Sequence, residues 1–107
     1  MGAALQTNSG KAYSGFNIEN AAYTVCMCAE RAALFSAINA GATDFSAIAV
    51  AGGNAGAPPE KIITPCGVCR QVLAEFCGPD FLIICAKSTD EYKLYTLAEL
   101  LPESFNL

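Results

Sequence analysis

Three cysteines in two short clusters constrain this chain more than anything else in it. They stand in Cys28-Ala29-Glu30-Arg31 and in Pro65-Cys66-Gly67-Val68-Cys69-Arg70. Three thiolates on one zinc ion leave a coordination position open, whereas a structural zinc site is normally closed by four protein ligands. The sequence contains no histidine, so the nitrogen ligand that often completes such sets is missing. A carboxylate, Glu30, lies two residues from the first thiolate and can act on whatever fills the open position. Any fold for this chain has to bring residue 28 against residues 66 and 69.

The rest of the composition narrows the setting. At 107 residues the chain reads as one domain, 1–107, with one core and little to spare. Hydrophobic residues make up 53%, and alanine is frequent. That is much apolar surface for a small monomer, so subunit interfaces are expected. Net charge is −4 with six basic residues, which argues against a nucleic-acid partner, since such grooves need clustered Lys and Arg. No stretch approaches the roughly 20 apolar residues of a membrane span, and no signal-peptide pattern opens the sequence. A reduced, cytoplasmic protein with metal-bound thiolates is therefore expected. Cys26, Cys77 and Cys85 read as buried small apolar residues.

Periodicity predicts strands interleaved with helices. Met1–Leu5 and Lys11–Phe16 read as strands around the turn Thr7-Asn8-Ser9-Gly10. A helix is expected from about Cys26 to Asn39, with Ala33, Leu34, Ala37 and Ile38 at helical spacing and Gly41 as its stop. Ala47–Ala51 reads as a strand and Gly52–Thr64 as a Gly/Pro-rich loop. A second helix starts near Cys66 and ends before Gly78-Pro79. Phe81–Ala86 is apolar throughout, as expected of a strand covered on both sides. Tyr92–Thr96 is a further strand and Leu97–Leu101 a helical turn. The expected fold is α/β: a three-layer α/β/α domain around a mixed sheet of about five strands.

Cys28 then falls in the first turn of one helix, and Cys66 and Cys69 in the first turn of another. Residues three apart share a helix face, so Cys66 and Cys69 can grip one ion. Helix N-termini favour thiolate over thiol. Zn²⁺ with three thiolates carries a net negative charge, and Arg31 and Arg70 are the adjacent cations that could draw it off through the sulfurs. Glu30 shares a helix face with Ala33, Leu34 and Ala37, which buries it beside the metal and suits it to carry protons. Two structural readings compete. One is a four-cysteine zinc site drawing on Cys26 or Cys77. The other is a Cys66–Cys69 redox pair.

The C-x-E and P-C-x-x-C pattern is that of the zinc-dependent nucleobase deaminases. With Gly-Phe-Asn-Ile-Glu-Asn-Ala-Ala-Tyr (15–23), Cys-Ala-Glu-Arg (28–31), Thr-Pro-Cys-Gly-Val-Cys-Arg-Gln (64–71) and Leu-Leu-Pro-Glu-Ser-Phe (100–105), the chain resembles the small homotetrameric cytidine deaminases over nearly its whole length. The resemblance implies hydrolysis of cytidine and 2′-deoxycytidine to the uracil nucleosides with release of ammonia. It implies zinc on Cys28, Cys66 and Cys69, and Glu30 as the proton carrier that also contacts N3 and the amino group. It further implies that Asn17 and Glu19 bind the ribose hydroxyls and that the Ala29 N–H holds the pyrimidine O2. Tyr23 and Phe105 match residues that reach a neighbouring subunit's site, Phe105 to cover the base. Arg31 matches the arginine on the zinc thiolates, and Gln71 a structural residue closing the ligand motif. The family pattern also has a helix and a Pro-Tyr-Ser-x-Phe segment before the first strand. This sequence opens on that strand, which implies a less covered sheet face and one missing wall of the base pocket. Deamination of a related aminopyrimidine nucleoside, including a nucleoside antibiotic, and a zinc-bound nucleoside-binding module with little turnover are the alternatives.

Overall fold

In a computed structural model of the chain, residues 1–23, 26–52 and 61–107 are described. Alternating side chains build β1 (Gly2–Thr7) and β2 (Ala12–Phe16), joined by a turn in which the Thr7 N–H reaches the Lys11 carbonyl at 2.8 Å. Helix α1 (Ala29–Asn39) follows, then β3 (Phe45–Ala51), α2 (Gly67–Phe76), β4 (Leu82–Ala86), β5 (Tyr92–Thr96) and the short α3 (Leu97–Leu100). The five-stranded sheet has the order β2-β1-β3-β4-β5. Only β3 and β4 pair in parallel, which requires a crossover, and that crossover carries α2. The α/β class and the mixed five-stranded sheet are as expected.

The ends of α1 have identifiable causes. The helix begins at Ala29, not near Cys26, because Met27 is held in an isolated bridge to Ile18 through N–H···O bonds of 2.8 and 2.9 Å. Cys28 is left as the extended N-cap. At the other end Gly41 has φ 91°, which lets the Ala42 N–H turn back to the Ala37 carbonyl at 3.0 Å and the Gly41 N–H to that of Ile38 at 2.9 Å. At the start of α3, Thr96 and Glu99 close a reciprocal cap.

One core holds the fold together. Ala29, Ala33, Leu34 and Ala37 of α1, Leu73 and Ala74 of α2, and Leu97 of α3 pack with Leu5, Ile48, Val50, Ile83 and Cys85 of the sheet. The helices thus share one face of the sheet. On the other face the register lines up Ala4, Ala49, Ile84 and Leu94 across four strands. Leu94 is 57% exposed there and Ile84 only half-buried. The covering expected on both sides of β4 is therefore supplied on one side by the described residues, and no helix among them forms the opposite layer. Among the described residues no helix is long and apolar enough to cross a membrane. Of the loop expected over Gly52–Thr64, residues 53–60 lie outside the described ones.

Gly15 sets how closely α1 lies on the sheet. A Cβ at this position would run into the Ala33 backbone nitrogen and come within 2.7 Å of the Ala29 carbonyl oxygen. Both are helix backbone and have no rotamer by which to yield. Gly15→Ala is expected to destabilise the fold by about 1–3 kcal/mol, the usual cost of overpacking. Urea denaturation checks this, and an unchanged midpoint would show that β2 and α1 separate freely.

Candidate metal centre and active site

The N-termini of α1 and α2 meet, and their sulfurs meet with them. Cys28 is the N-cap of α1, Cys66 is the N-cap of α2, and Cys69 lies one turn into α2. The Cys28 and Cys66 Sγ atoms are 3.8 Å apart, and those of Cys66 and Cys69 are 3.4 Å apart. All three sulfurs lie within 4.8 Å of one another. Sulfurs on a tetrahedral zinc ion with bonds of about 2.3 Å sit roughly 3.8 Å apart, so the spacing fits zinc. Burial differs across the set: Cys69 is buried, Cys28 half-buried and Cys66 exposed, which leaves the cluster open on one side.

The protonation of the thiols follows from their surroundings. Burial pushes the Cys66 thiol up, but the N–H of Cys69, the thiols of Cys69 and Cys28, and the N–H of Val68 together hold it below its ordinary value. Cys69 is raised, first by burial, then by its hydrogen bond with Cys66 and by the negative charge of Glu30. Zinc uptake has to displace the Cys69 proton. Arg31 Nη2 donates to Cys28 Sγ at 3.5 Å. That contact is the main cause raising the guanidinium pKa; burial opposes it and Cys69 adds to it. Arg31 thus lies against the Cys28 sulfur. Arg70 does not. Its Nε donates to the Pro65 carbonyl at 2.7 Å, Nη1 to the Leu100 carbonyl at 2.7 Å and Nη2 to Thr64 Oγ1 at 2.8 Å. It braces the entry to α2 against the end of α3 and leaves the sulfurs to Arg31.

Glu30 follows the Cys28 cap and is 1% exposed. Among the described residues its Oε1 has no hydrogen-bond partner, nor does the buried Arg31 Nε. A buried carboxylate oxygen without a partner is costly and asks for one the protein itself does not provide. Together with three converging thiols, that orphaned oxygen marks a site shaped for a metal and a reacting group. Ala29, fully buried, is the first helical residue of α1, so its N–H has no intrahelical acceptor.

The Ile18–Met27 bridge fixes the segment that carries Asn17 and Glu19 beside Met27, the residue before Cys28. Asn17 Nδ2 donates to Glu19 Oε1 at 2.8 Å, and Asn17 Oδ1 accepts from the Met1 nitrogen at 3.0 Å. Tyr23 and Phe105 are 87% and 76% exposed, standing out from the surface of their own chain. Gln71 donates through Nε2 to the Phe105 carbonyl at 2.8 Å, a contact within its own chain. Of the other cysteines, Cys85 is buried, and burial pushes the half-buried Cys77 up to about 12. Cys26 departs from the expected buried role. It is half-buried, and its Sγ accepts from the Asn20 N–H at 3.2 Å and donates to the Asn20 carbonyl at 3.4 Å. Sequence reasoning missed the bridge, the Arg70 brace and Glu75, whose Oε1 accepts from the Leu107 N–H at 2.8 Å. Only the i,i+4 spacing of Gln71 and Glu75 could have signalled the last.

Residues 1–85 match the family described as the cytidine and deoxycytidylate deaminase zinc-binding region. The chain belongs to this deaminase family. A cytidine deaminase of Sporosarcina psychrophila is 42% identical over 99% of this chain and 74% of its own length. A blasticidin-S deaminase of Bacillus cereus is 30% identical over 95% of this chain and 74% of its own. Among solved structures, the cytidine deaminase of Burkholderia pseudomallei superposes with a TM-score of 0.85 at 44% identity, covering 97% of this chain and 80% of that one. Membership in a zinc deaminase family agrees with the three-cysteine cluster and favours it over a Cys66–Cys69 redox pair. Cys26 and Cys77 stand outside the cluster, so a four-cysteine site is not formed.

One zinc per chain is expected by metal analysis, bound more tightly as pH rises because its ligands must lose protons. Arg31→Ala is expected to weaken zinc retention or catalysis by about 10–100-fold, with Arg31→Gln milder. Chelator competition measures this, and equal retention and activity in all three proteins would remove Arg31 from the site.

Proposed function

We infer that the chain hydrolyses cytidine and 2′-deoxycytidine to uridine and 2′-deoxyuridine with release of ammonia, a step of pyrimidine salvage. The observation that carries this is the buried, unpartnered Glu30 oxygen beside three converging thiols. Held by Cys28, Cys66 and Cys69, zinc would supply Lewis acidity and lower the pKa of water. Glu30 takes a proton from the water that attacks the pyrimidine C4 and gives one to N3. It then passes a proton to the departing amino group, which leaves as ammonia. The N–H of Ala29, which has no acceptor within its helix, holds the O2 carbonyl, and the Asn17–Glu19 pair receives the ribose hydroxyls. Arg31 draws charge from the thiolates. Tyr23 and Phe105 project from the surface, which suits service in a neighbouring copy, Phe105 over the base. We accordingly propose a homotetramer of single-domain subunits, residues 1–107, acting in the cytoplasm.

Glu30→Gln keeps the shape of the side chain and cannot take the proton. Turnover is expected to fall by at least about 10²–10⁴-fold while zinc and fold remain. Loss of cytidine absorbance reports this, and a zinc-loaded Glu30→Gln protein of near-parent activity would end the assignment. A second test concerns the sugar. Asn17→Ala and Glu19→Ala are expected to damage cytidine turnover without loss of zinc, and free cytosine to be a poor substrate for the parent. Equal rates on cytosine and cytidine would contradict a ribose clamp.

The match to a blasticidin-S deaminase supports a second reading, deamination of a nucleoside antibiotic that carries the same aminopyrimidine. The ratio of kcat/KM for cytidine and for that antibiotic decides between the two.

A further inference from the structure

We propose that Gln71 and Glu75 form a two-point clasp on α2 that aims Phe105, and that they are positioning residues for the base cover of a neighbouring copy. The proposal rests on the reading of Phe105 given above. The geometry comes first. Gln71 Nε2 donates to the Phe105 carbonyl at 2.8 Å, and Glu75 Oε1 accepts from the Leu107 N–H at 2.8 Å. The two side chains are one helical turn apart and so lie on one face of α2. The two backbone groups they hold flank the peptide units on either side of Asn106. Between α3 and this segment Glu103 takes φ 57°, a left-handed turn that sends the chain back toward α2. Upstream, Arg70 fixes the Leu100 carbonyl at 2.7 Å. Three residues of one helix therefore hold the segment 100–107 by its backbone.

Backbone capture leaves the Phe105 ring free. The ring is 76% exposed, although an apolar ring on a loose tail would gain by folding back onto its own chain. A clasp at the residue's own carbonyl and again two residues on fixes the direction in which the ring leaves the surface. A tail ordered before it meets a partner loses less conformational freedom on binding. The helix that carries Cys66 and Cys69 for its own chain's metal thus also sets the aromatic it offers to another.

The two contacts have opposite polarity. Gln71 must donate, and Glu75 must accept. Gln71→Glu keeps the shape but loses the donor, and Gln71→Met loses it without adding charge. Glu75→Gln keeps an acceptor oxygen, and Glu75→Ala removes it. The chain contains no tryptophan, so Phe105→Trp provides a single indole reporter on the tail.

The test has two arms. In the Phe105→Trp background, Gln71→Met, Gln71→Glu and Glu75→Ala are each expected to lower the steady-state anisotropy of the indole, whereas Glu75→Gln leaves it near the parent. With Phe105 intact, the first three are expected to raise KM for cytidine about 3–10-fold, with kcat less changed and zinc content constant. In a Phe105→Ala background the same changes are expected to have no further effect on KM. Unaltered anisotropy in the Gln71 and Glu75 variants would overturn the clasp. A loosened tail with parent KM, where Phe105→Ala itself raises KM, would overturn the positioning role and leave the base cover standing. If Phe105→Ala leaves KM unchanged, the base-cover reading falls and the positioning role falls with it.

Discussion

Two helix N-termini brought side by side are an electrostatic problem. Each carries partial positive charge from unpaired N–H groups, and α1 and α2 bring theirs together at Cys28 and Cys66. Three thiolates between them answer that problem and create the next one, an excess of negative charge. A zinc dication and the Arg31 guanidinium at 3.5 Å from Cys28 Sγ answer the second. The rest of the fold can be seen as holding this arrangement. Gly15 lets α1 lie against β2, the parallel β3–β4 pair demands the crossover that carries α2, and the Ile18–Met27 bridge ties the segment after β2 to the residue before the cap of α1.

Much of this was legible in the sequence, for a local reason. Alternation and helical spacing report which faces are buried, and thiol chemistry reports what three cysteines can hold. The strands therefore came out close to their observed bounds, and the metal ligands came out as a set. Failures occurred where a distant residue decides. Met27 looks helical by spacing, but Ile18 takes its N–H and carbonyl, and no period in the chain records that pairing. Arg31 and Arg70 look equivalent beside their cysteines. Arg31 is three residues past Cys28 and Arg70 four past Cys66, so helical spacing does not separate them. The carbonyls of Pro65 and Leu100 claim Arg70.

The same limit explains the clasp and the sheet. Gln71 closes the ligand motif and reads as structural, yet what it supports depends on a tail that returns from α3 through Glu103. The apolar run in β4 reports that both faces avoid water, and the described residues supply a helical cover on one of them. Hydrophobicity encodes the need for burial and not the identity of the cover.

That distinction accounts for the composition. A chain that is 53% hydrophobic has more apolar surface than one core of this size can take in. The excess is sorted, not scattered. Part lies in the row Ala4, Ala49, Ile84 and Leu94, where alanines on β1 and β3 form a low floor and the larger side chains of β4 and β5 rise at one side. Part lies in the projecting rings of Tyr23 and Phe105. Leaving such surface in water costs about 25 cal/mol per Å². On the tetrameric reading the rings are also the groups that complete a neighbour's pocket. The residues that give up burial within the chain are then the ones that work between chains, and association and catalysis draw on the same side chains.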